Sequence, residues 1–418
     1  MRERILITDT FKRTARHRLM MGAGAVSMLL LGCTPATETA APETASAAEI
    51  HERLLTLDTH LDTPVHFGRN GWSMADAHDY ATDASQVDLP RMEQGGLDGG
   101  FFVIYTPQGE LTSAGYAEAR AMATQRQREI LEMAAANAER LELAYTADDA
   151  LRIASEGKVF AFQSIENSWP LGEDIGALQS FYDNGVRMAG PVHSRDNQFA
   201  DSTTGDGRWG GLSPAGRELV AEMNRLGIVV DGSHASDAAI DQLIELSATP
   251  IILSHSGPRW AMDHQRNLDD DGIRAVAASG GAICVNSVFL APFLESEELT
   301  AIEERMDAEY RTASPTQQRA LVRELRAAQG RAPQQEANFD AFMASLLHLL
   351  DVAGVDHVCM GADWDGGGGV IGMRDIAALP QVTARLLAAG YDEEDLQKIW
   401  SGNVLRLLRQ AEDYAANH

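Results

Sequence analysis

Histidines and carboxylates recur in this sequence directly after short apolar runs. His60 and Asp62 follow the first run as an HxD pair, and Glu166 ends a later run. Four more candidates stand at the ends of other runs: His193, His234, His255 and Asp363. Imidazole and carboxylate donors without a thiolate suit zinc, with manganese or cobalt as alternatives. The imidazoles of His234 and His255 with three carboxylates on one rim would form a site for two divalent cations bridged by a carboxylate.

Each of these residues has a simpler structural explanation when it is taken alone. An HxD pair is most often a polar corner, and a single histidine such as His234 or His255 is most often a satisfied core residue. A buried carboxylate such as Glu166 is costly unless it is paired, and an arginine is the commoner partner. The chemical interpretation rests on recurrence, because 12 histidines placed by chance would not favour the ends of apolar runs.

The elements that must position these residues are short β-rich runs alternating with helical patterns. The runs are Leu54–Leu57, Phe101–Tyr105, Val159–Ile165, Val186–Ala189, Ile228–Val230, Pro250–Leu253, Ala282–Asn286 and His357–Gly361. Several are apolar on both faces, which is typical of parallel strands covered by helices. Eight alternating units predict an α/β fold of the (β/α)8 TIM-like barrel type, with its site at the carboxyl ends of the strands. A doubly wound sheet is the alternative, disfavoured because no Gly-rich phosphate loop follows the first run.

Helical patterns fill the intervals, among them 114–143 and 218–226. Ser213 followed by Pro214 predicts a helix start, and Ser236 predicts another. The charged stretch 295–335 lies between the last two runs and has a helical pattern. We expect it to be a helical insertion before the last strand. A solvated helical surface is its simplest interpretation, and a lid or a dimer contact are the alternatives.

Composition limits the class of protein. The chain has 418 residues, of which 44% are hydrophobic and 23% charged, as is usual for a soluble globular protein. Disordered, collagen-like and multi-span membrane classes are therefore excluded. The formal net charge of −27 argues against a nucleic-acid partner, because phosphates would be repelled.

Three cysteines occur, which is too few for a disulfide framework. Cys284 and Cys359 lie inside apolar runs that have the character of strands. We expect them to be buried thiols rather than metal ligands or a disulfide bridge.

The N-terminus has the pattern of a targeting segment. Basic residues precede an apolar run of 13 residues, Leu19 to Leu31. As a helix this run spans roughly 20 Å, short of the ~30 Å hydrocarbon core. Leu30-Leu31-Gly32-Cys33 resembles a bacterial lipobox, whose cysteine is lipidated, so 1–32 is predicted to be a lipoprotein signal peptide. A plain signal peptide or a weak membrane anchor are the alternatives.

The expected domain organisation follows from this N-terminus. The Ala/Thr/Pro/Glu-rich stretch 33–49 is predicted to be a flexible tether, and 50–418 a single barrel domain. The protein is then expected in the bacterial cell envelope, facing the periplasm. Its only contact with the membrane would be the lipid on Cys33.

Longer segments around the candidate residues resemble the membrane (renal) dipeptidase family of zinc metallopeptidases, within the amidohydrolase-like barrels. The matching segments occur in family order and are LDTHLDTP, QVDLPRMEQGGLDGGFF, SIEN, GLSPAGRELVAEMNRLGIVVDGSHAS, PIILSHSGPR, HQRNLDDDGIR, GGAICVN, HVCMGADWDG and SGNVLRLL. They span nearly the whole chain after the N-terminal segment. The resemblance implies two Zn²⁺ ions: His60, Asp62 and Glu166 would bind one, and Glu166 would bridge to a second held by His234 and His255.

The resemblance also implies roles for three further residues. His193 would contact the scissile carbonyl side of the substrate, Arg266 would bind the substrate carboxylate, and Asp363 would lie beside the metals and move a proton. The implied activity is hydrolysis of dipeptides by a hydroxide that bridges the two metals, and the implied assembly is a homodimer. The preference for a D- or an L-residue at the carboxyl end stays open. The insertion is longer than in the animal enzymes, so no substrate preference is carried over.

Two alternatives of function remain at this level. One is another metal-dependent amide or lactone hydrolase on the same barrel. Arg266 argues against this alternative, because it favours an amide substrate that bears a carboxylate. The other is an envelope binding lipoprotein without activity, which would have no need of five intact metal-ligand positions.

Overall fold

The computed structural model describes residues 45–292, 296–331 and 337–418. Within this part of the chain, short strands alternate with helices. The strands are Leu57–Leu61 (β1), Gly99–Ile104 (β2), Leu141–Leu143 (β3), Val159–Ile165 (β4), Val186–Ala189 (β5), Val229–Val230 (β6), Ile252–Ser256 (β7), Ala282–Val285 (β8) and Val358–Met360 (β9).

Helices cover the strands and fill the connections between them. They are Ala47–His51 (α1), Tyr80–Asp83 (α2), Leu89–Gly95 (α3), Ser113–Ala136 (α4), Ala147–Ser155 (α5), Leu178–Asp183 (α6), Pro214–Leu226 (α7), Asp237–Leu246 (α8), Asp270–Ala278 (α9), Glu297–Glu309 (α10), Pro315–Arg331 (α11), Phe339–Ala353 (α12), Pro380–Ala389 (α13), Glu393–Gln397 (α14) and Asn403–Asn417 (α15). The predicted starts at Ser213 and Ser236 are confirmed, because each side chain accepts a hydrogen bond from a backbone N–H in the first turn.

The parallel strands follow one another around a barrel. One sheet has the order β1-β2-β4-β5-β6, and a second has the order β7-β8-β9. Isolated parallel bridges join Asp231 to Ile252 and Leu61 to Trp364, which connects β6 to β7 and the end of β9 to β1. The predicted barrel is therefore confirmed, with the carboxyl ends of its strands at one rim. The short strand β3 lies outside the ring and pairs with the start of β4.

Three predicted elements have the wrong bounds. One is the sixth run, predicted over Pro250–Leu253, whereas β7 spans Ile252–Ser256 and contains His255. The first run was predicted to end at Leu57, whereas β1 begins there and contains Asp58 and His60. Polar residues are tolerated in this fully buried strand because their groups are bonded across the barrel; the Thr59 hydroxyl, for example, donates to the carbonyl of Ser254. The helical pattern predicted over 114–143 ends at Ala136, since a turn follows and β3 pairs with β4.

The expectation of free thiols at Cys284 and Cys359 is wrong. These residues face each other in the register of β8 and β9, with Cα atoms 4.1 Å apart, and form a disulfide. The apolar runs correctly predicted burial of both residues, but their sequence separation of 75 gave no indication of the register that brings them together.

The folded part begins inside the range predicted to be a tether. Ser46 caps α1, and the buried His51 ring bonds to the Thr383 hydroxyl and the Gly95 carbonyl. The predicted tether 33–49 therefore extends too far toward the barrel. The predicted signal peptide, the Cys33 lipid site and the tether up to residue 44 lie outside the described residues. None of the described helices combines the length and the apolar composition that a membrane span needs.

The predicted helical insertion is present as α10 and α11, between β8 and β9. The two helices form a small apolar core of their own, in which Leu299 and Ile302 of α10 lie against Leu325 and Ala328 of α11. The insertion is therefore an ordered helical pair, and it stands at the rim where the strands end.

Candidate metal centre

One carboxylate oxygen lies at the centre of the candidate residues. Glu166 follows β4, and its Oε1 atom is 3.0 Å from Nε2 of His234. The same oxygen is 3.5 Å from Nε2 of His193 and of His255, and 3.6 Å from Nε2 of His60. Four imidazoles carried by different strands thus converge on a single buried oxygen, as expected for the mouth of a parallel barrel.

His60 connects this group to two more carboxylates. Its Nε2 atom is 3.3 Å from Oδ2 of Asp62 and 3.9 Å from Oδ1 of Asp363. The structure therefore brings together all seven candidates that the sequence placed at strand ends. Three overlapping ligand groups have the spacing of a cation site: His60 with Glu166 and His255; Glu166 with His193 and His234; and His60 with Asp62 and Asp363.

The donor atoms fit divalent cations. His60 Nε2 is buried and has no hydrogen-bond partner in the described part of the chain, although carboxylates surround it. Nε2 of His234 and Nε2 of His255 point at each other 2.8 Å apart. Buried polar atoms are rarely left in this arrangement unless a further group satisfies them. Convergent nitrogen and oxygen donors without thiolate are the set that zinc and similar metals take.

Burial and charge set the protonation of the centre. Burial acts to raise the pKa of Glu166, but the surrounding imidazoles outweigh it, His193 foremost, and the pKa lies well below its usual value. Burial lowers the pKa of His234 and of His255 well below the usual value for histidine. Glu166 is thus ionised and His234 and His255 are neutral, which are the forms that bind metal. Burial acts to lower the pKa of His60 as well, but Asp62 and Glu166 outweigh it, and the pKa lies well above its usual value.

Asp363 differs from Glu166 in its electrostatics. Burial, reinforced by the charges of Asp62 and Glu166, raises the pKa of Asp363 to about 8. A carboxyl group with its pKa near neutrality can both hold and release a proton in the working range of an enzyme.

A hydrogen-bonded serine fixes the tautomer of His255. The Ser254 hydroxyl donates to Oδ2 of Asp231 at 2.5 Å, so it is left to accept at His255 Nδ1, 2.9 Å away. His255 therefore carries its proton on Nδ1 and directs the Nε2 lone pair at Glu166. Such supports around a ligand are typical of metal-binding histidines.

Two buried aspartates hold the rim together. Asp58 accepts from the backbone N–H of His60 at 2.9 Å and of Ala362 at 3.0 Å, which ties β1 to the segment before Asp363. Asp231 accepts from Ser233 and Ser254 in the same way and ties β6 to β7. Sequence reasoning assigned neither aspartate a role. The sequence did contain one signal for them. Asp58 stands two residues before His60, and Asp231 stands three residues before His234.

Two candidates have a left-handed backbone. His234 and Asp363 have φ values of +67° and +66°. The cost for a residue other than glycine is about 1 kcal/mol or more. The His234 carbonyl accepts from Thr203 N–H, and the Asp363 carbonyl accepts from Gly368 N–H, both at 2.8 Å. These bonds hold a backbone shape that aims both side chains into the rim.

Arg266 is a buried cation beside this centre. It follows β7, has 4% of its surface exposed, and its Nη2 donates to the carbonyl of His255 at 3.2 Å. Its Nε has no hydrogen-bond partner among the described residues. Burial lowers its pKa to about 10, so the guanidinium stays charged at neutral pH. A buried charge that is incompletely paired is costly, which favours an anionic ligand at this place.

The centre opens into a cavity of about 550 Å³. Six of the eight predicted site residues line it: Asp62, Glu166, His193, His234, Arg266 and Asp363. The cavity also has walls that sequence reasoning missed, above all Arg126 from the middle of α4. No motif marks that arginine, because its place depends on how α4 packs on the barrel.

Comparison with known proteins gives a consistent result. Residues 44–418 match the family described as membrane dipeptidase, peptidase family M19. Dipeptidase tcpJ of Claviceps purpurea is 30% identical over 340 residues, covering 80% of this chain and 71% of its own. Dipeptidase verJ of Clonostachys rogersoniana is 29% identical over 373 residues, covering 85% and 84%.

Solved structures agree with these matches. The probable dipeptidase PvdM from Pseudomonas aeruginosa has a TM-score of 0.76 and 29% identity, covering 88% of this chain and 98% of its own. A metallo peptidase from Rhodobacter sphaeroides, liganded with a phosphinate mimic of the dipeptide L-Ala-D-Ala, has a TM-score of 0.66 and 27% identity, covering 86% and 99%.

Proposed function

We propose that this chain, which belongs to the membrane dipeptidase family (peptidase family M19) and is a metallopeptidase, is a two-zinc enzyme that hydrolyses the peptide bond of dipeptides. The observation that carries the proposal is the convergence of four imidazoles on Glu166 Oε1, with two further carboxylates around His60. One cation would be held by His60, Asp62 and Glu166. A second would be held by Glu166 together with His234 and His255.

Bound divalent metals would supply the Lewis acid that activates a water molecule and polarises the peptide carbonyl. The chain's own residues do the rest. Glu166 is ionised and offsets positive charge on both sides of the centre. His193, with its ring at the cavity wall 3.5 Å from Glu166, faces the place where charge develops on the carbonyl oxygen.

Asp363 is the proposed proton carrier. It lies 3.9 Å from His60 Nε2 and lines the cavity, and burial raises its pKa to about 8. Asp363 accepts a proton from the attacking water and passes it to the departing amine nitrogen, so one group serves as base and then as acid.

Arg266 is the proposed recognition group for the carboxyl end of the substrate. Its guanidinium lines the cavity, and its Nε lacks a partner among the described residues. A carboxylate one residue beyond the scissile bond would pair with it through charge-assisted hydrogen bonds. This pairing restricts hydrolysis to dipeptides, because a longer peptide has no carboxylate at that distance.

Acceptance of a D-residue at the carboxyl end is part of the proposal. It is supported by the Rhodobacter sphaeroides metallo peptidase, whose bound ligand mimics L-Ala-D-Ala.

The proposed location is the bacterial cell envelope, facing the periplasm, with a lipid on Cys33 as the anchor and a homodimer as the assembly. Residues 1–33 have the composition of a lipoprotein signal. The Cys284–Cys359 disulfide supports export, because disulfides persist in oxidising compartments and are rare in the cytosol.

A substrate panel on zinc-loaded protein tests the function. L-Ala-L-Ala and L-Ala-D-Ala should be hydrolysed, whereas L-Ala-L-Ala amide and N-acyl amino acids or lactones should react far more slowly. Removal of metal by a chelator should abolish the activity, and added Zn²⁺ should restore it. Faster reaction of the lactone or acyl substrates would assign another hydrolase to this barrel. Absence of any hydrolysis with two metals bound would contradict the proposed enzymatic activity.

A further inference from the structure

A second and larger cavity adjoins the one that contains the metal centre. Its volume is about 980 Å³, and we call it the rim chamber. Val65, Tyr105, Arg126 and Asp365 line both cavities, so the two spaces meet at these residues. Ligand pockets of proteins usually have volumes of 300–1,000 Å³, a range that already includes the first cavity alone. The rim chamber is thus additional space next to a site that can hold a dipeptide.

The helical insertion forms the outer wall of the rim chamber. Ser296, Leu299 and Thr300 line it at the start of α10, and Leu325 and Gln329 line it from α11. The opposite wall belongs to the barrel, with Val65 after β1 and Met122 on α4. The chamber therefore exists because of the insertion.

Contacts at the turn between α10 and α11 fix this wall to the barrel. Arg311 pairs with Glu129 of α4, and the Tyr310 hydroxyl donates to the carbonyl of Asp83. The buried side chain of Gln318 donates to the carbonyl of Asn70 at 3.3 Å. These bonds reach α4, the end of α2 and the loop after β1, so the wall is held at several separate points.

Arg266 lines the cavity of the metal centre but not the rim chamber. It is also not among the four residues at which the two spaces meet, whereas Arg126 is one of these four. With the substrate carboxylate at Arg266 and the peptide carbonyl at the centre, the amino-terminal residue points toward the junction. This direction depends on the function proposed above.

The lining of the chamber favours a large apolar group. Val65 is 46% exposed and Met122 is 38% exposed, and both stand in its wall. Exposed apolar side chains that line a concave surface are typical of a binding site. The guanidinium of Arg326, 3.9 Å from the ring of Tyr80, adds a flat stacked surface. Most of the arginines in the wall are already engaged, as Arg69 is by Asp83, which leaves little preference for a charged ligand.

We infer that the rim chamber is a subsite for a large apolar group on the amino-terminal residue of the dipeptide. The insertion thus makes this enzyme selective for bulky amino-terminal residues, and the carboxyl-terminal residue remains under the control of Arg266.

Filling the chamber tests the inference. Thr300→Trp places a ring in the chamber from an exposed position on α10, and Ala301→Trp is the matched control on the same helix, outside the lining. kcat/KM is measured for L-Trp-L-Ala, L-Ala-L-Ala and L-Ala-L-Trp, and for L-Ala-L-Ala acylated on its nitrogen. Wild type should prefer L-Trp-L-Ala over L-Ala-L-Ala by at least tenfold.

The variants should change only the ratio of kcat/KM for L-Trp-L-Ala to kcat/KM for L-Ala-L-Ala. Thr300→Trp should lower the L-Trp-L-Ala preference at least fivefold and leave L-Ala-L-Ala and L-Ala-L-Trp within twofold, and Ala301→Trp should change nothing. Met122→Glu, which replaces an apolar wall by a charge, should lower the same preference. Faster hydrolysis of the acylated substrate than of L-Trp-L-Ala would assign the chamber to a group on the nitrogen and would contradict a subsite for the side chain.

The outcomes separate this inference from the proposed function. If wild type hydrolyses L-Ala-L-Ala but has no preference for L-Trp-L-Ala, the subsite is contradicted and the dipeptidase stands. An equal loss on all substrates in Thr300→Trp also contradicts the subsite. No hydrolysis of any dipeptide by metal-loaded wild type contradicts the proposed function itself.

Discussion

At the scale of single residues, Glu166 and Arg266 have separable tasks. Glu166 is surrounded by imidazoles, with His234 Nε2 only 3.0 Å away, and its lowered pKa keeps it ionised. Arg266 is buried beside the same cavity, and its Nη2 donates to the backbone carbonyl of His255. Removing Glu166 should therefore act on metal binding, whereas removing Arg266 should act on substrate binding.

We expect Glu166→Gln to lose more metal than His255→Ala. The proposed bridging carboxylate offsets charge on two cations, whereas His255 serves one. Glu166→Gln should retain less than one equivalent of zinc and His255→Ala about one, and both should lose activity by orders of magnitude. Elemental analysis after dialysis measures this, with His418→Ala, an exposed terminal histidine, as control. Two full equivalents in Glu166→Gln would show that this residue is no bridge.

We expect Arg266→Met to weaken dipeptide hydrolysis by about 10- to 150-fold, since a hydrogen bond to a charged group contributes roughly 1.5–3 kcal/mol. Zinc content should stay normal. Hydrolysis of the dipeptide amide, which lacks the carboxylate, should fall much less.

Arg259→Met is the matched control for Arg266→Met, because Arg259 follows the same strand but pairs with Asp237 and Asp269 at the surface. Asp363→Asn should instead slow the dipeptide and the amide together. Equal losses on both substrates in Arg266→Met would contradict the carboxylate-binding role.

At the scale of elements, the first helix is more important than its length suggests. α1 has five residues, yet its His51 ring bonds to Thr383 of α13 and to Gly95 of α3. Trp400 Nε1 donates to the Thr383 hydroxyl, so that hydroxyl is free to donate to His51 Nδ1. Nε2 of His51 then carries the proton and donates to the Gly95 carbonyl. The neutral ring therefore joins three elements.

We expect α1 to make stability dependent on pH. Burial lowers the pKa of His51, so the folded protein disfavours the protonated ring. The unfolded chain takes up this proton below about pH 6.5. The contribution of His51 to the free energy of unfolding is then complete above pH 6.5. It is lost as the pH falls through the folded-state pKa, by at most about 1.4 kcal/mol per pH unit.

Denaturant unfolding of wild type and His51→Asn at pH 7.5 and pH 5.5 measures this effect. The stability difference between the two proteins should shrink at pH 5.5, while His418→Asn should behave as wild type at both. A constant difference would show that the ring does not titrate on unfolding.

At the scale of the whole molecule, the barrel is one folded unit from Ala45 to His418 in the part that the structure describes. Its closure depends on Asp58 and Asp231, which tie neighbouring strands at the rim, and on the disulfide between β8 and β9. The predicted signal peptide and most of the predicted tether precede this unit in the sequence, and their proposed task is targeting.

We expect a protein that begins at Ala45 to unfold cooperatively and to hydrolyse dipeptides like the full mature chain. A protein that begins at Leu54 loses α1 with His51 and should be less stable by about 1–3 kcal/mol, the cost of leaving buried polar partners unpaired. Thermal melts and kcat/KM on L-Ala-L-Ala compare the two. Equal stability would show that α1 is dispensable.

We expect Cys33→Ser to remain unlipidated and to be absent from the membrane fraction. The reason is that the thiol of Cys33 is the lipid acceptor in the lipobox interpretation. Metabolic labelling with a fatty acid and detergent partitioning measure the change, with Thr34→Ser, next to Cys33 in the sequence, as control. Unchanged partitioning of Cys33→Ser would contradict the lipid anchor.

Local sequence patterns predicted the fold class, the helix starts at Ser213 and Ser236 and the seven site candidates at the strand ends. Periodicity and capping are local, and parallel strands of a barrel must end at one rim. The buried first strand was misplaced for the same reason: Asp58 and His60 interrupt its apolar pattern, and the contacts that make them tolerable come from other strands.

The contacts between distant segments could not be predicted from the sequence and became visible in the folded chain. The Cys284–Cys359 disulfide depends on strand register across 75 residues, and the tautomer of His255 depends on Ser254 and Asp231 together. The rim chamber depends on where α10 and α11 come to rest against α4. Such contacts follow from the packing of many side chains at once, and no short stretch of sequence contains that information.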